Sequence, residues 1–130
     1  MKNSYVADTM AVVLWLEQRK LGSKAKTIFG EAEKGKVKLG VPAMVLAEIG
    51  YLAERKKIDT NLKEVNDYCM KHPMISIEAI TEAIIQKSFE IDDIPELHDR
   101  IIAGTARLKN AELITNDPII TASNFISAIW

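Results

Sequence analysis

The chain has 130 residues, 48% of them hydrophobic and 27% charged, as is typical of one globular domain. Its formal net charge of −1 excludes the strongly basic balance of proteins that grip nucleic acid non-specifically. The only cysteine, Cys69, excludes an intrachain disulfide, and no apolar run reaches the roughly 20 residues of a membrane span. We therefore expect residues 1–130 to form a single cytoplasmic domain that does not cross a membrane.

The first third of the chain predicts one strand followed by two helices. Residues 4–7 are short, β-prone and uncharged, which is typical of a buried strand. Apolar residues at helical spacing predict a helix over 10–20. Ser23 can begin a second helix that runs to about Glu33, and Gly35 ends it.

The middle of the chain predicts a second strand and two further helices. Alternating residues over 37–41 indicate the strand. The helix over 43–57 is apolar almost all round, so we expect it to be buried. Asp59 or Thr60 then begins another helix that reaches about Lys71.

The last third continues the alternation of strands and helices. Residues 74–77, 112–115 and 125–130 predict strands, the last of them short, while 81–90 and 98–109 predict helices. Strands that alternate with helices favour an α/β fold, in which a parallel sheet of about five strands is covered on both faces.

Three acidic residues each stand alone in a long uncharged stretch: Asp8, Glu48 and Asp117. Burying a lone carboxylate costs free energy unless it is paired or binds a metal. Asp8 follows the first predicted strand and Asp117 the fourth, so both lie at the sheet edge where α/β proteins bind ligands. Glu48 and Asp99 lie near the starts of two predicted helices that can reach this edge. We therefore expect four carboxylates to meet there.

A cluster of this kind predicts a particular chemistry. Carboxylates within about 5 Å of one another repel by a few kcal/mol per pair at an effective dielectric constant near 20. A divalent cation removes that conflict, and ligation by oxygen atoms suits Mg²⁺ or Mn²⁺. Such a metal favours phosphodiester hydrolysis by a bound water. The phosphate loop of NTPases, the glycine pattern of dinucleotide-binding folds and the nucleophile elbow of hydrolases are absent from the sequence.

Four blocks of the sequence resemble the PIN-domain family, most closely the VapC-type toxins of bacterial and archaeal toxin–antitoxin pairs. The blocks are 5–9, 45–49, 97–103 and 113–117, and they follow the order and spacing of the family. The resemblance implies a three-layer α/β/α sandwich with Mg²⁺- or Mn²⁺-dependent endoribonuclease activity on RNA. It also implies a homodimer and a cognate antitoxin protein whose tail covers the active-site groove.

The resemblance also implies roles for individual residues. The acidic quartet of the family matches Asp8, Glu48, Asp99 and Asp117. These four would bind the metal and carry the catalysis, and Thr115 and Asn116 match polar positions that support the site. Arg100 would either contact RNA phosphate or pair with a neighbouring acid.

Some features near the third block are less typical of the family. Gly104 lies inside a predicted helix, where glycine costs up to about 1 kcal/mol, so we expect close helix packing there. The acids of 92–96 lie beside the site, and Asp93 or Glu96 could join the metal shell. His98 is either a general base or an exposed residue at a helix start.

Other interpretations of the acids remain open. Asp8, Asp99 and Asp117 can each be explained as a helix cap or turn residue, whereas Glu48 has no such explanation. A non-catalytic module that binds a metal or a basic partner is the main alternative to a nuclease. A metal-dependent phosphatase is a third, but its first-strand motif usually has a second aspartate where this chain has Met10.

Overall fold

The computed structural model describes residues 4–130, which form a five-stranded sheet with seven helices. The strands are β1 (Ser4–Ala7), β2 (Lys38–Pro42), β3 (Ile75–Glu78), β4 (Glu112–Ile114) and β5 (Ala128–Ile129). The helices are α1 (Thr9–Leu16), α2 (Ser23–Glu33), α3 (Ala43–Glu54), α4 (Leu62–Lys71), α5 (Glu82–Phe89), α6 (Leu97–Leu108) and α7 (Pro118–Thr121). None of the helices in this described range is long and apolar enough to span a membrane.

Every strand pairs in parallel with its neighbour, in the order β3-β2-β1-β4-β5. Right-handed crossovers then place α1 to α4 on one face and α5 to α7 on the other. This arrangement agrees with the contacts of α1, α2, α3 and α4 among themselves and of α5 with α6. The predicted three-layer α/β/α fold is confirmed.

The strand order reverses between the two central strands. From β1 the chain moves outwards to β2 and β3, and it then returns across the sheet to β4 on the other side of β1. Val6 pairs with Leu113 and Ala7 with Ile114, and all four side chains are fully buried. In parallel α/β sheets, a crevice opens beyond the strand ends at such a point.

Several helices end earlier than their sequence patterns predict. Helix α1 ends at Leu16 and not at residue 20, because Gln18 adopts a left-handed conformation with φ of 55°. Helix α3 ends at Glu54 and not at residue 57, because Lys56 has φ of 57°. Both ends form the paired backbone hydrogen bonds of a Schellman motif, in which the left-handed residue is usually glycine.

Other boundaries also differ from the expectations. Helix α4 begins at Leu62, because the side chain of Asn61, and not that of Asp59 or Thr60, accepts the capping bond from Glu64 N–H. The strand expected over 125–130 is limited to β5, and α7 was not predicted. Helix α3 is also less buried than expected, since Tyr51 is 58% exposed.

The glycine in α6 lies at the closest contact between two helices. A Cβ atom added at Gly104 would lie 2.0 Å from Ser88 Oγ and 2.9 Å from Ser88 Cα, on α5. Because backbone is this close, even alanine does not fit without moving one of the helices. The expectation of close helix packing at Gly104 is confirmed.

Candidate functional site

A pocket of about 460 Å³ opens at the carboxyl edge of the sheet, beside the point where the strand order reverses. The polar residues that line it are Asp8, Thr9, Glu48, Asp99, Asn116 and Asp117. The structure therefore brings the four acids singled out in the sequence into one pocket, although they come from four separate parts of the chain.

The ends of β1 and β4 place Asp8 and Thr115 side by side. Asp8 is the N-cap of α1 and accepts a hydrogen bond from Ala11 N–H at 2.9 Å. Thr115 follows β4 directly, and its hydroxyl donates to the Asp8 carboxylate. The Thr115 oxygen also accepts a bond from Asp117 N–H at 3.1 Å. Thr115 thus contacts an acid on each side, and its role in supporting the site stays a prediction.

Asp117 is fixed by the short helix α7. Its Oδ1 atom accepts bonds from Ile119 N–H at 2.8 Å and from Ile120 N–H at 3.2 Å. The capping role expected as an alternative for Asp117 is therefore present, and so is its place in the pocket. Because both bonds end on Oδ1, capping leaves Oδ2 able to bind a ligand.

Glu48 is held between two other helices. The Thr9 hydroxyl, from α1, donates to its Oε1 atom at 2.5 Å. The Nδ1 atom of His98, from α6, lies 3.6 Å from its Oε2 atom. The Glu48 side chain is 25% exposed, so it faces the pocket and does not extend into open solvent. Glu48 lies within α3, so it neither caps a helix nor forms a turn, and these two contacts hold its side chain in the pocket.

Asp99 lies in the first turn of α6, which begins beside the pocket. Glu96 caps this helix and accepts bonds from His98 N–H at 2.9 Å and from Asp99 N–H at 3.0 Å. The pKa of Asp99 is raised to about 6, first by burial and then by the negative charges of its neighbours. Those charges belong, in decreasing order of effect, to Glu96, Asp117, Glu48 and Asp8.

The pKa of Asp8 is raised to about 6 as well. Burial is the largest cause, and the charges of Asp117 and Glu48 add to it, while the hydrogen bonds from Thr115 and Ala11 act in the opposite direction. Both aspartates therefore resist ionisation while the pocket holds only their own negative charges. A cation in the pocket would favour their ionised forms.

The donor groups of the pocket are of the type that a divalent metal ion prefers. Carboxylate oxygens from four segments of the chain face one space, and oxygen ligands suit Mg²⁺ and Mn²⁺. At one side, ligand atoms of Glu48, Glu96 and His98 lie within 4.8 Å of one another. Of the two acids that the sequence left open, Glu96 is thus next to the predicted quartet.

Asp93, the second acid that the sequence left open as a metal ligand, forms hydrogen bonds within the protein instead. Its carboxylate accepts bonds from Ser123 Oγ at 2.7 Å and from Asn124 N–H at 2.8 Å. The bond from the Asn124 backbone has the larger effect, and together with the bond from Ser123 it holds the pKa of Asp93 below its usual range. Asp93 therefore ties the segment after α7 to the loop before α6.

Arg100 contacts main-chain carbonyls and an aromatic ring. Its Nε–H donates to the Ile94 carbonyl at 2.7 Å, and its guanidinium carbon lies 5.2 Å from the centre of the Phe89 ring. These contacts brace the start of α6. An RNA contact by Arg100 stays a prediction.

Two pocket residues, Thr9 and Trp130, were not identified as functional from the sequence, and neither was the contact of His98 with Glu48. Thr9 is adjacent to Asp8, so a test of hydroxyl residues beside each acid would have found it. Trp130 follows β5 directly, just as Asp8 follows β1 and Thr115 follows β4. The same rule of strand ends would therefore have indicated Trp130.

The fold is shared with solved structures of toxin–antitoxin proteins. A chain in VapBC2 from Rickettsia felis, bound to a DNA fragment from their promoter, has a TM-score of 0.74 at 18% identity, covering 98% of each chain. A chain in DNA-bound VapBC from Salmonella typhimurium has a TM-score of 0.68 at 13% identity, covering 99% of this chain and 98% of that one.

A third structure is that of VapC20 from Mycobacterium tuberculosis, described as a sarcin–ricin loop cleaving toxin. Its TM-score is 0.61 at 15% identity, and the match covers 94% of this chain and 96% of that one. No curated protein sequence matches the chain significantly. The family model of the PIN domain matches residues 5–123, which include all four acids of the pocket. The chain therefore belongs to the PIN-domain family.

Proposed function

We propose that the protein is a Mg²⁺- or Mn²⁺-dependent endoribonuclease and the toxin of a toxin–antitoxin pair. The observation that carries this proposal is the meeting of four carboxylates in one pocket, where two of them have raised pKa values. Membership of the PIN-domain family supports it, as does the fold shared with VapC20, the sarcin–ricin loop cleaving toxin.

The residues of the pocket would divide the work between them. Asp8, Glu48, Asp99 and Asp117 would hold the metal, directly or through water. When bound, the metal would neutralise charge on a substrate phosphate and lower the pKa of a coordinated water. Thr115 orients two of the acids and Thr9 orients Glu48. Asn116 is exposed in the pocket, and its amide would donate to a substrate oxygen.

The proposed reaction is hydrolysis of an RNA phosphodiester bond by water, in which the 3′ oxygen leaves. It would produce one fragment with a 5′ phosphate and one with a 3′ hydroxyl. Sequencing of the cleaved ends tests this chemistry and also identifies the RNA target. Fragments that end in a 2′,3′-cyclic phosphate would contradict the proposal, because they arise by attack of the RNA's own 2′ hydroxyl.

The partners and location of the protein are part of the same proposal. We propose a cognate antitoxin protein that covers the pocket, and the fold shared with chains of VapBC complexes supports such a partner. We also propose that residues 1–130 act as one domain, that the chain forms a homodimer, and that it works in the cytoplasm. Light scattering of the purified protein tests the dimer.

Digestion of RNA with and without EDTA tests the enzymatic activity. We expect cleavage with Mg²⁺ or Mn²⁺, and none with EDTA or with the Asp8→Asn/Asp99→Asn double variant, which should still fold. Glu54→Gln, at the exposed end of α3, is the matched control and should cleave normally. If the double variant cleaved RNA as fast as the parent, the site would be wrongly assigned. RNA that stays intact with the parent protein and metal would favour the non-catalytic binding module.

A further inference from the structure

The pocket has an apolar side that the proposed metal chemistry does not use. Its apolar lining consists of Met10, Leu14, Leu52, Ile102 and Trp130. A metal ion and a phosphate group need only the polar side. Apolar lining is favourable where a ligand brings an apolar surface of its own. The substrate group next to the phosphate should therefore have such a surface.

Trp130 occupies a defined place on this side. Thr115 N–H donates to the Ile129 carbonyl at 3.1 Å, and Ile114 pairs with Ile129, so Trp130 lies next to Thr115 at the carboxyl edge. Its side chain is partly buried against the core and partly exposed to the pocket. Among the described residues that line the pocket, Trp130 is the aromatic one.

The position of the indole ring depends on a glycine. A Cβ atom at Gly22 would lie 2.5 Å from Cδ1 of Trp130 and 2.4 Å from its carbonyl carbon. Only a residue without a side chain leaves room for the ring and the chain at this point. Since Gly22 precedes α2, the start of that helix supports the ring from one side.

We propose that Trp130 is a substrate-binding residue that stacks on an unpaired base of the RNA, next to the phosphate that is cleaved. This inference rests on the proposed function and adds which side chain of the pocket holds the base next to the cut. Proteins commonly bind unpaired RNA bases by stacking them on aromatic side chains. Paired bases in a duplex are stacked on their neighbours, so Trp130 would select loops and single strands.

Tryptophan fluorescence tests the contact directly, because the chain has two tryptophans. The probe is a short single-stranded oligoribonucleotide that the parent protein cleaves, added to an Asp99→Asn variant that should not cleave it. We expect RNA to quench the emission, with the same midpoint as binding measured by fluorescence anisotropy of labelled RNA. In Asp99→Asn/Trp130→Phe, only Trp15 emits, and RNA should leave its emission unchanged. Unchanged emission of Trp130 at RNA concentrations that saturate anisotropy would overturn the proposal.

Kinetics separate a substrate contact from a structural role. We expect Trp130→Leu to raise KM by about 5- to 100-fold, the loss of one stacked base, with a smaller change in kcat. Trp130→Phe keeps a ring and should stay nearer to the parent. If Trp130 only stabilised the fold, KM of the folded Trp130→Leu variant would match that of the parent.

An abasic substrate needs no variant that might fail to fold. Removing the base on one side of the cut should raise KM of the parent by a similar factor and should not raise KM of Trp130→Leu further. Equal KM for abasic and intact RNA on both sides of the cut would overturn the stacking contact alone. A parent protein that neither binds nor cleaves RNA would overturn the proposed function and this inference together.

Discussion

Two of the cavities formed by the described residues 4–130 contain partly buried carboxylates, and they differ in how these acids are satisfied. The larger, of about 740 Å³, is lined in part by Trp15, Glu33 and Tyr68. There, a single oxygen of Glu33 accepts bonds from Trp15 Nε1–H at 2.8 Å and from the Tyr68 hydroxyl at 2.6 Å. The smaller, of about 460 Å³, holds Asp8 and three further acids whose charges repel one another.

This difference in hydrogen-bond donors favours a structural role for Glu33 and a ligand-binding role for the four acids of the smaller cavity. Glu33 has donors within the protein, and its charge together with burial raises the pKa of Tyr68. Burial raises the pKa values of Asp8 and Asp99, and the charges of the neighbouring acids add to the rise. Cavity volume alone favours the larger cavity, whereas the excess of acids over hydrogen-bond donors favours the smaller one as the metal site that we propose.

The largest expected difference between the cavities is in catalysis. Glu48→Gln removes a metal-binding charge and should lower the rate of RNA cleavage by about 1,000-fold or more. Glu33→Gln makes the same chemical change in the larger cavity and should leave the rate within about threefold. Cleavage rates of the two folded variants, measured with Mg²⁺, check this. Comparable losses in both would break the distinction between the cavities.

The next difference is in the stability of the metal-free protein. A folded pKa of about 6 for Asp8, against 3.8 unfolded, means that the folded state binds more protons between these values. Stability should therefore fall as the pH rises from about 4 to about 6, by about 3 kcal/mol for Asp8. In EDTA, the free energy of unfolding should be larger at pH 5 than at pH 8. Chemical denaturation at the two pH values measures it.

Asp8→Asn should reduce this pH dependence and stabilise the metal-free protein at pH 8, while Glu54→Gln should change neither. Added Mg²⁺ should stabilise the parent most at pH 8, where the acids are ionised. A parent whose stability in EDTA is the same at pH 5 and pH 8 would contradict the repulsion between the acids.

Removing the acid of the larger cavity should destabilise the metal-free protein, whereas Asp8→Asn in the smaller cavity should stabilise it at pH 8. Glu33→Ala leaves Trp15 and Tyr68 without their charged acceptor, so it should destabilise the protein at pH 8 by about 2 kcal/mol. Denaturation in EDTA compares it with Asp8→Asn, and Glu54→Ala is the exposed control. The comparison fails if both substitutions shift stability in the same direction.

The smallest expected effect is a change in the affinity of the acid pocket for a metal ion. Thr9→Val keeps the side-chain shape but removes the hydroxyl that holds Glu48, so affinity for Mn²⁺ should fall by about tenfold. Thr27→Val removes an exposed hydroxyl of α2 that donates to the Ser23 carbonyl, and should leave affinity unchanged. Titration calorimetry with Mn²⁺ measures both. An unchanged affinity in Thr9→Val would show that Thr9 does not position Glu48.

Helices and strands could be predicted where the signal is local. The alternation of uncharged strands and amphipathic helices was enough to predict the parallel sheet. The end of α2 was also predictable, because Gly35 has a positive φ of 78°. The ends of α1 and α3 were not, since Gln18 and Lys56 take the same conformation at a cost of roughly 1–2 kcal/mol that contacts elsewhere must offset.

Part of the site could also be predicted, because two of its acids directly follow strands that have a local sequence pattern. Asp8 and Asp117 follow strands, and a parallel sheet brings such residues to one edge. The bonds that orient the acids, such as the one from Thr9 to Glu48, join residues far apart in the chain and leave no periodic signal. The contact of Trp130 with Gly22 is of the same kind.

The sequence by itself determined the α/β class, the four acids and their place at one edge of the sheet, because strand and helix patterns repeat over short distances. The tertiary structure alone decided that Glu96 and His98 adjoin Glu48, that Asp93 binds Ser123 instead, and that Trp130 lines the same pocket as the acids. These outcomes depend on how separate elements pack together, and packing is set by contacts between residues that no local pattern relates.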